Sequence, residues 1–569
     1  MRLVSLVTAL FLAGCSVLPQ PFARTPAAPT PSAGATVMVA SANPLATEAG
    51  LKVLREGGSA IDAAVAVQAV LGLVEPQSSG LGGGSFMVYY DARSKTVTAY
   101  DGRETAPAGS TPEMFLGEDG KPLPFVTALL SGRSTGVPGA VAMLALAHKD
   151  HGALPWTALF SDAERLATDG FTVSPRLAGM ISGPFPQAST PDAKRYFGRP
   201  DGSRMKAGDL LKNPDYAATV RRLAAEGPSA LYEGPIAEAI VARVHEGALP
   251  GALTLADFKT YRPNRQKALC GPYRIYVVCT TWPASSGGAL LQGLMLLERT
   301  DIATRGPADP LGWLRLAEAE RVMYADRDRY FGDPAFVAVP LKGLLKPAYV
   351  DQRATLIGDR AGPTPTFGSP DGAGVRGPDR TVEPGGTTHF VIVDASGNVV
   401  SMTTTVESIF GSGRMVAGFF LNNQMTDFSF SPKEADGAPA ANAPAPGKRP
   451  RSSMSPVIVL DGDRRLVMAI GSPGGNSILS YNLKALVGYL DWKLPLQEAV
   501  DLPNLVARGD RFSSEPGRYL PGVVDGLAAR GLVFNNTAGE ASGLHGVAAT
   551  PAGLVGAADS RREGVAKGY

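Results

Sequence analysis

Apolar and polar positions along this chain repeat first with the period of a helix and then with that of a strand, and the exchange recurs to the C-terminus. Residues 43–74 predict two helices interrupted at Gly57-Gly58. The second is so dominated by Ala, Val and Leu that it must be buried on every face. Gly80 to Gly84 (GLGGG) opens an alternating run over 85–104 that reads as a hairpin. Residues 139–170 and 206–245 carry mainly helical, amphipathic patterns, and 310–330 predict a helix ending near YFGDP. A strand pair follows at 387–405 with Ser396-Gly397-Asn398 at its turn, then a second at 454–475 and a helix at 477–490. Residues 361–386 are rich in Gly and Pro and poor in apolar groups, which predicts a flexible or exposed segment. Strands with helices on both flanks predict an α/β (α+β layered) body of four layers, αββα. At 569 residues the chain is too long for one simple core.

Composition removes several functional classes. A net charge of +2 with no clustered Lys and Arg gives no surface for a nucleic acid. The longest basic run, Lys448-Arg449-Pro450-Arg451, is short. The five histidines (His148, His151, His245, His389 and His545) show no HExxH spacing, and with three cysteines a metal site is not expected. Neither metal nor organic cofactor is implied.

The N-terminus reads MRLVSLVTALFLAGC, one Arg and an apolar run too short to anchor in a bilayer, so residues 1–14 are expected to be a signal peptide. Leu12-Ala13-Gly14-Cys15 resembles a bacterial lipobox, in which Cys15 would be acylated and become the first residue; an ordinary signal peptide with an incidental cysteine is the alternative. Ser16 in place of Asp fits the outer membrane. Residues 15–37 would be a flexible, lipid-anchored tether. The expected location is the periplasmic side of a bacterial envelope, held to the membrane by lipid alone. Cys270 and Cys279 flank a turn expected at Gly271-Pro272 and a strand at 274–278. An exported compartment permits a disulfide between them; two buried free thiols are the alternative.

Thr387 stands after Gly385-Gly386, at the head of a strand and behind a weakly structured segment. Threonine is a poor nucleophile without an adjacent base. The α-amino group, with a pKa near 8, is such a base if Thr387 is itself an N-terminus. A cut between Gly386 and Thr387 would create it, and Gly386 has no side chain to obstruct attack on its carbonyl. The plain alternative is an exposed strand that happens to start with Thr. His389, two residues along the same strand with Asp394 nearby, invites a Ser/His/Asp-type reading, but a free amine makes a histidine base unnecessary and His389 is expected to be structural.

Several stretches in order extend this reading: EGGSAIDAAVAV (56–67), GLGGGSFMV (80–88), DGRETAP (101–107), STGVPGAVAML (134–144), ADRDRYFGDP (325–334), GGTTHFVIVDASGNVVSMT from 385, FLNNQMTDFS (420–429), KRPRSSMSP (448–456), GSPGG (471–475) and ADSRREGVAKGY at the end. With them the chain resembles the γ-glutamyltransferases (glutathione hydrolases), autoprocessed N-terminal-nucleophile hydrolases. The resemblance implies a large subunit, 38–386, and a small catalytic subunit, 387–569, that stay associated as a heterodimer from one precursor. Thr387 would be the nucleophile of both self-cleavage and turnover, with Thr405 orienting it and the backbone of Gly474 and Gly475 forming an oxyanion hole. Arg103, with Ser452 and Ser453, would hold the substrate α-carboxylate. Gln424 and Asp427 would hold its α-amino group. The substrate would be a small γ-glutamyl compound, and the acceptor water or an amino acid or peptide.

Two positions depart from the family pattern. Glu407 stands where better-known members have an asparagine facing the α-amino group, which either strengthens that contact or signals another acyl group. The Ala/Pro-rich loop between Phe430 and Gly447 lacks the tyrosine of lid-bearing members, which favours hydrolysis over transfer. Two other readings remain: an amidase of the cephalosporin-acylase type with a different acyl group, and a non-catalytic envelope lipoprotein that keeps the fold.

Overall fold

The structure, a computed structural model, describes residues 34–377, 379, 381, 383–434, 437–537 and 542–569. Cys15 and the signal and lipobox residues lie outside the described residues. In chain order the main strands are β1 (Met38–Ser41), β2 (Gly84–Asp91), β3 (Thr96–Gly102), β4 (Asn264–Lys267), β5 (Leu269–Tyr273), β6 (Tyr276–Thr280), β7 (Thr387–Val393), β8 (Val399–Thr405), β9 (Val457–Leu460), β10 (Leu466–Gly471), β11 (His545–Thr550), β12 (Gly553–Ala558) and β13 (Val565–Gly568). They form a seven-stranded sheet, β13-β1-β7-β8-β2-β3-β4, and a six-stranded sheet, β12-β11-β10-β9-β6-β5.

Side-chain alternation along the strands dictates the layering. On β7, Phe390 and Ile392 point into a core shared with α1 (Pro44–Arg55) and α2 (Ala60–Val74), while Val391 and Val393 point into a core shared with Ile458, Ala469 and Val547 of the second sheet. The other face of the second sheet packs on α3 (Gly287–Glu298), α4 (Pro310–Tyr330) and α5 (Ile478–Leu486). The result is helix, sheet, sheet, helix, as the sequence pattern predicts. Every residue of α2 is buried, in keeping with its all-apolar composition. Its N-terminus is closed by a Ser59/Asp62 capping box, and the Ala60 amide donates to Asp394 Oδ2 at 3.0 Å. Asp394 therefore serves a helix cap and its own turn, where it accepts from Ser396 and Asn398.

Three local expectations are corrected. The 269–280 hairpin turns between Tyr273 and Tyr276, with Arg274 at φ +54°, and not at Gly271-Pro272, which lie within β5. Cys270 and Cys279 are thereby direct cross-strand partners and are joined by a disulfide. The predicted helix over 477–490 is α-helical only to Leu486 and continues as a π turn over Val487–Asp491. Parts of 361–386 are also held, against the flexible segment their composition predicts. Gly368 is bracketed by Asp326 and Tyr330 of α4, and Asp379 and Glu383 are buried. The segment carries few apolar groups because polar side chains of the body supply its anchors.

The disulfide closes a loop across a separation of 9 residues at the free edge of the second sheet. Replacing both cysteines with alanine is expected to lower unfolding free energy by about 2 kcal/mol, read from urea midpoints. Catalytic rate should be unchanged, because neither strand carries a candidate site residue.

Candidate active site

Antiparallel register brings the candidate nucleophile to its partner. Thr387 opens β7, Thr405 closes β8, and the two are directly opposed, with Gly84 opposite Thr405 on the far side. Their hydroxyl oxygens lie 3.0 Å apart. The Thr405 hydroxyl also donates to the Gly386 carbonyl at 3.0 Å and accepts from the Glu407 amide at 2.8 Å. A hydroxyl has one proton, so with the Thr405 proton on Gly386 O, the Thr387 hydroxyl must be the donor of the pair. One side chain thus gathers the nucleophile and the carbonyl of the preceding peptide. A Cβ on Gly386 would lie 2.3 Å from the Glu407 carbonyl oxygen, so only glycine fits there. Arg562, beyond the last turn of the chain, donates to the Thr387 carbonyl at 3.0 Å.

Gly474 and Gly475 follow β10 at φ +135° and +53°. In this uncut chain they face the residues just ahead of Gly386. A Cβ on Gly475 would meet the Glu383 carbonyl oxygen at 2.0 Å, and the Asn476 amide donates to that oxygen at 3.1 Å. Among the described residues the partner of the Gly386 carbonyl is Thr405, not the glycine pair.

Arg103, placed by the turn after β3, is fully buried. Its guanidinium donates to Asp427 Oδ2 at 2.5 Å and to the carbonyls of Pro450 and Arg451 at 3.1 and 2.7 Å. It is thus already paired with the residue expected to face the substrate amine. The Gln424 amide bridges Glu407 Oε2 and Asp427 Oδ2, both at 2.7 Å. The remaining oxygens, Glu407 Oε1, Gln424 Oε1 and Asp427 Oδ1, are buried without a hydrogen-bond partner. Glu407 sits at φ +83°, a region that L-residues other than Asn and Asp seldom occupy, and its fixed backbone aims the carboxyl at Gln424. Burial and then the neighbouring Asp427 push the Glu407 carboxyl well above the usual range. Burial likewise raises Asp427 against the pull of Arg103, and raises Glu104 to about 8.

Ser452 and Ser453 separate. Ser452 Oγ accepts from the Met454 amide, whereas both the amide and hydroxyl of Ser453 donate to Glu383, at 3.0 and 2.6 Å. His389 lies in the sandwich interior with Nδ1 2.9 Å from Thr403 Oγ1, and burial drives its pKa well down. The neutral ring touches neither Thr387 nor an acid. Lys448 is spent on the Ala441 and Ala443 carbonyls. Sequence reasoning passed over Glu383, Arg327, Arg451, Glu104 and Arg562. The four other than Glu383 stand inside stretches that carry the family resemblance, yet none has a role written in its spacing. Among the described residues no cluster of His, Cys, Asp and Glu could hold a metal ion, and no helix is long and apolar enough to cross a membrane.

Two opposed sheets between helical layers, with a threonine at the head of a central strand, are the architecture of the N-terminal-nucleophile hydrolases. The chain belongs to the gamma-glutamyltranspeptidase family, whose pattern matches residues 46–569. It is 40% identical over 498 residues to the glutathione hydrolase proenzyme of Bacillus subtilis (strain 168), covering 85% of this chain and 82% of that one. It is 36% identical over 510 residues to the glutathione hydrolase proenzyme of Escherichia coli (strain K12), covering 87% and 85%. The crystal structure of cephalosporin acylase from Bacillus halodurans superposes with a TM-score of 0.83 at 25% identity, covering 97% of this chain and 99% of that one. The protein is an enzyme of the hydrolase and transferase type.

Because the folded state raises the Glu407 pKa, its contribution to stability is complete below the unfolded value near 4 and is lost as pH rises toward the folded value. Glu407→Gln removes this dependence. In a Thr387→Ala background, the unfolding free energy of the Gln variant, read from urea curves, should gain on that of the parent as pH rises above the unfolded carboxyl value, by up to about 1 kcal/mol per pH unit.

Proposed function

We propose that the protein is a self-cleaving γ-glutamyltransferase, or glutathione hydrolase, made as one chain and cut between Gly386 and Thr387. Thr387 Oγ bonds to the Gly386 carbonyl carbon, the peptide C–N bond breaks, and the hydroxyl proton ends on the released amine. Water then hydrolyses the ester, which restores the Thr387 hydroxyl and leaves a Gly386 carboxylate. The freed amine, with a pKa near 8, is the base that draws the Thr387 proton as the hydroxyl attacks a γ-glutamyl amide. Water or an acceptor amine resolves the acyl-enzyme. The single observation that carries this reading is the Thr405 hydroxyl, in contact with Thr387 Oγ1 and the Gly386 carbonyl at 3.0 Å each.

The substrate follows from the charges. An ammonium offers three N–H donors, and Glu407, Gln424 and Asp427 each turn one unpartnered buried oxygen. Arg103, with Ser452 and Ser453, would take the carboxylate, and the departure of residues 383–386 would expose Gly474 and Gly475 to the developing oxyanion. The names of the relatives at 40% and 36% identity support glutathione as a substrate. The likeness to a cephalosporin acylase favours a second reading, with a glutaryl-type acyl group; such a group brings no ammonium to Glu407, Gln424 and Asp427. The lipid anchor at Cys15 and an outer-membrane, periplasmic location remain part of the proposal, supported by the lipobox-like sequence and by the disulfide of an oxidising compartment.

Denaturing electrophoresis with mass spectrometry should reveal a C-terminal fragment of 183 residues (569 − 386) beginning at Thr387, absent in Thr387→Ala. A chain that stays whole would sink the mechanism. Assayed side by side, a γ-glutamyl anilide should turn over at least about tenfold faster than a glutaryl anilide, the discrimination expected when a buried polar site loses its partner. Faster turnover of the glutaryl compound favours the acylase reading.

A further inference from the structure

The residues ahead of the cut are held by an ion cluster that no step above uses. Glu383 lies three residues before Gly386 and is 6% exposed. Its Oε1 accepts from Arg327 at 2.6 Å and lies 3.4 Å from Arg451 Nε, while its Oε2 accepts from the Ser453 amide and hydroxyl. Both arginines are fully buried, and each is fixed from a second side. Arg327 Nε donates to Ser286 at 3.0 Å, and Arg451 NH1 lies 3.2 Å from Asp379, four residues further up the same segment. The Glu383 carbonyl takes the Asn476 amide. Burial opposes the charge on Glu383, but the two arginines and Ser453 outweigh it and hold the carboxyl down to about 2. An anchor so fully satisfied, on a segment of little apolar content, leaves only Pro384, Gly385 and Gly386 between it and the scissile carbonyl.

We infer that Glu383 is a positioning residue for self-cleavage: its carboxylate, clamped by Arg327, Arg451 and Ser453, pins the segment so that the Gly386 carbonyl rests on the Thr405 hydroxyl beside Thr387. Glu383 touches neither reacting atom. It acts through the short Pro-Gly-Gly span, where two glycines supply no stiffness and an upstream anchor must fix the carbonyl. Three buried groups from α4 and the 448–456 segment are directed at one carboxylate, and its loss would leave each buried arginine with one fewer acid, Asp328 beside Arg327 and Asp379 beside Arg451.

This inference rests on the self-cleavage reading. Its test follows the rate at which purified, folded full-length precursor yields the fragment beginning at Thr387. Glu383→Gln keeps the shape and loses the charge, and should slow cleavage about ten- to a hundredfold, the loss of one charge-assisted hydrogen bond. Glu383→Asp keeps the charge, and the flexible arginines can follow a shorter carboxylate, so it should cleave faster than Glu383→Gln. A role in general packing would not rank the variants by charge. Cleavage of Glu383→Gln at the parent rate, or Glu383→Asp no faster than Glu383→Gln, overturns the inference. A parent chain that never cleaves sinks the underlying reading instead, and the two failures are told apart by the parent lane alone.

Discussion

The register of β7 against β8 is the constraint on which the site depends. Pairing Thr387 with Thr405 sets two hydroxyls in contact at the edge of a buried interface. A slip of one residue would turn Thr387 toward the helices, where Thr388 now lies, and no side chain would then span the nucleophile and the Gly386 carbonyl. The register is itself over-determined. Phe390 and Ile392 must face α1 and α2, Val391 and Val393 must face the second sheet, and β8 is locked on its other side by seven paired residues of β2. Hydrophobic alternation over the whole strand thus specifies a hydroxyl geometry at its first residue.

Charge is organised around that point in two clusters joined by one short segment. Arg103 meets Asp427, which Gln424 links to Glu407, on one side; Arg327 and Arg451 meet Glu383 and Asp379 on the side of the upstream segment. Arg451 belongs to both, since its side chain faces the acids and its carbonyl accepts from Arg103. Buried ion pairs of this kind add little net stability, but loss of one partner costs about 3–5 kcal/mol. They therefore fix geometry more than they stabilise the fold. Glu407, Gln424 and Asp427 each keep one buried oxygen without a hydrogen-bond partner, whereas Glu383 is satisfied on both carboxylate oxygens.

The layers, the hairpin over 387–405 and the buried second helix were legible in the sequence because each rests on periodicity, a local signal. The turn of the 269–280 hairpin was not, since Gly271-Pro272 carries the usual turn chemistry while cross-strand pairing of Cys270 with Cys279 moves the bend to Arg274. Thr387 was legible as a candidate nucleophile from its glycine pair, beside the plain reading of an exposed strand, and Thr405 only through resemblance. Glu383 was illegible for a definite reason. Its partners stand 56 to 70 positions away in sequence, and its own surroundings of Gly, Pro and Thr predict an exposed segment. A polar anchor is created by side chains of the body, and composition of the anchored segment is blind to them.

The position of the proposed cut also makes mechanical sense. β7 begins at Thr387, so a break before it removes no bond of the sheet ladder. Downstream, the new terminus would still be paired with β8 through Thr405 and held by Arg562 on its carbonyl, while β1 pairs with the far half of the strand at 391–393. Upstream, the segment is held by ion pairs, by Ser453 on Glu383 and by backbone bonds to Asn476 and Asp328, none of them a bond of either sheet. The peptide proposed to be cut thus lies at the boundary between a paired strand and a polar clamp outside the sheets. A nucleophile generated there would keep its position when its neighbour left, and the same departure would uncover the glycine corner at Gly474-Gly475.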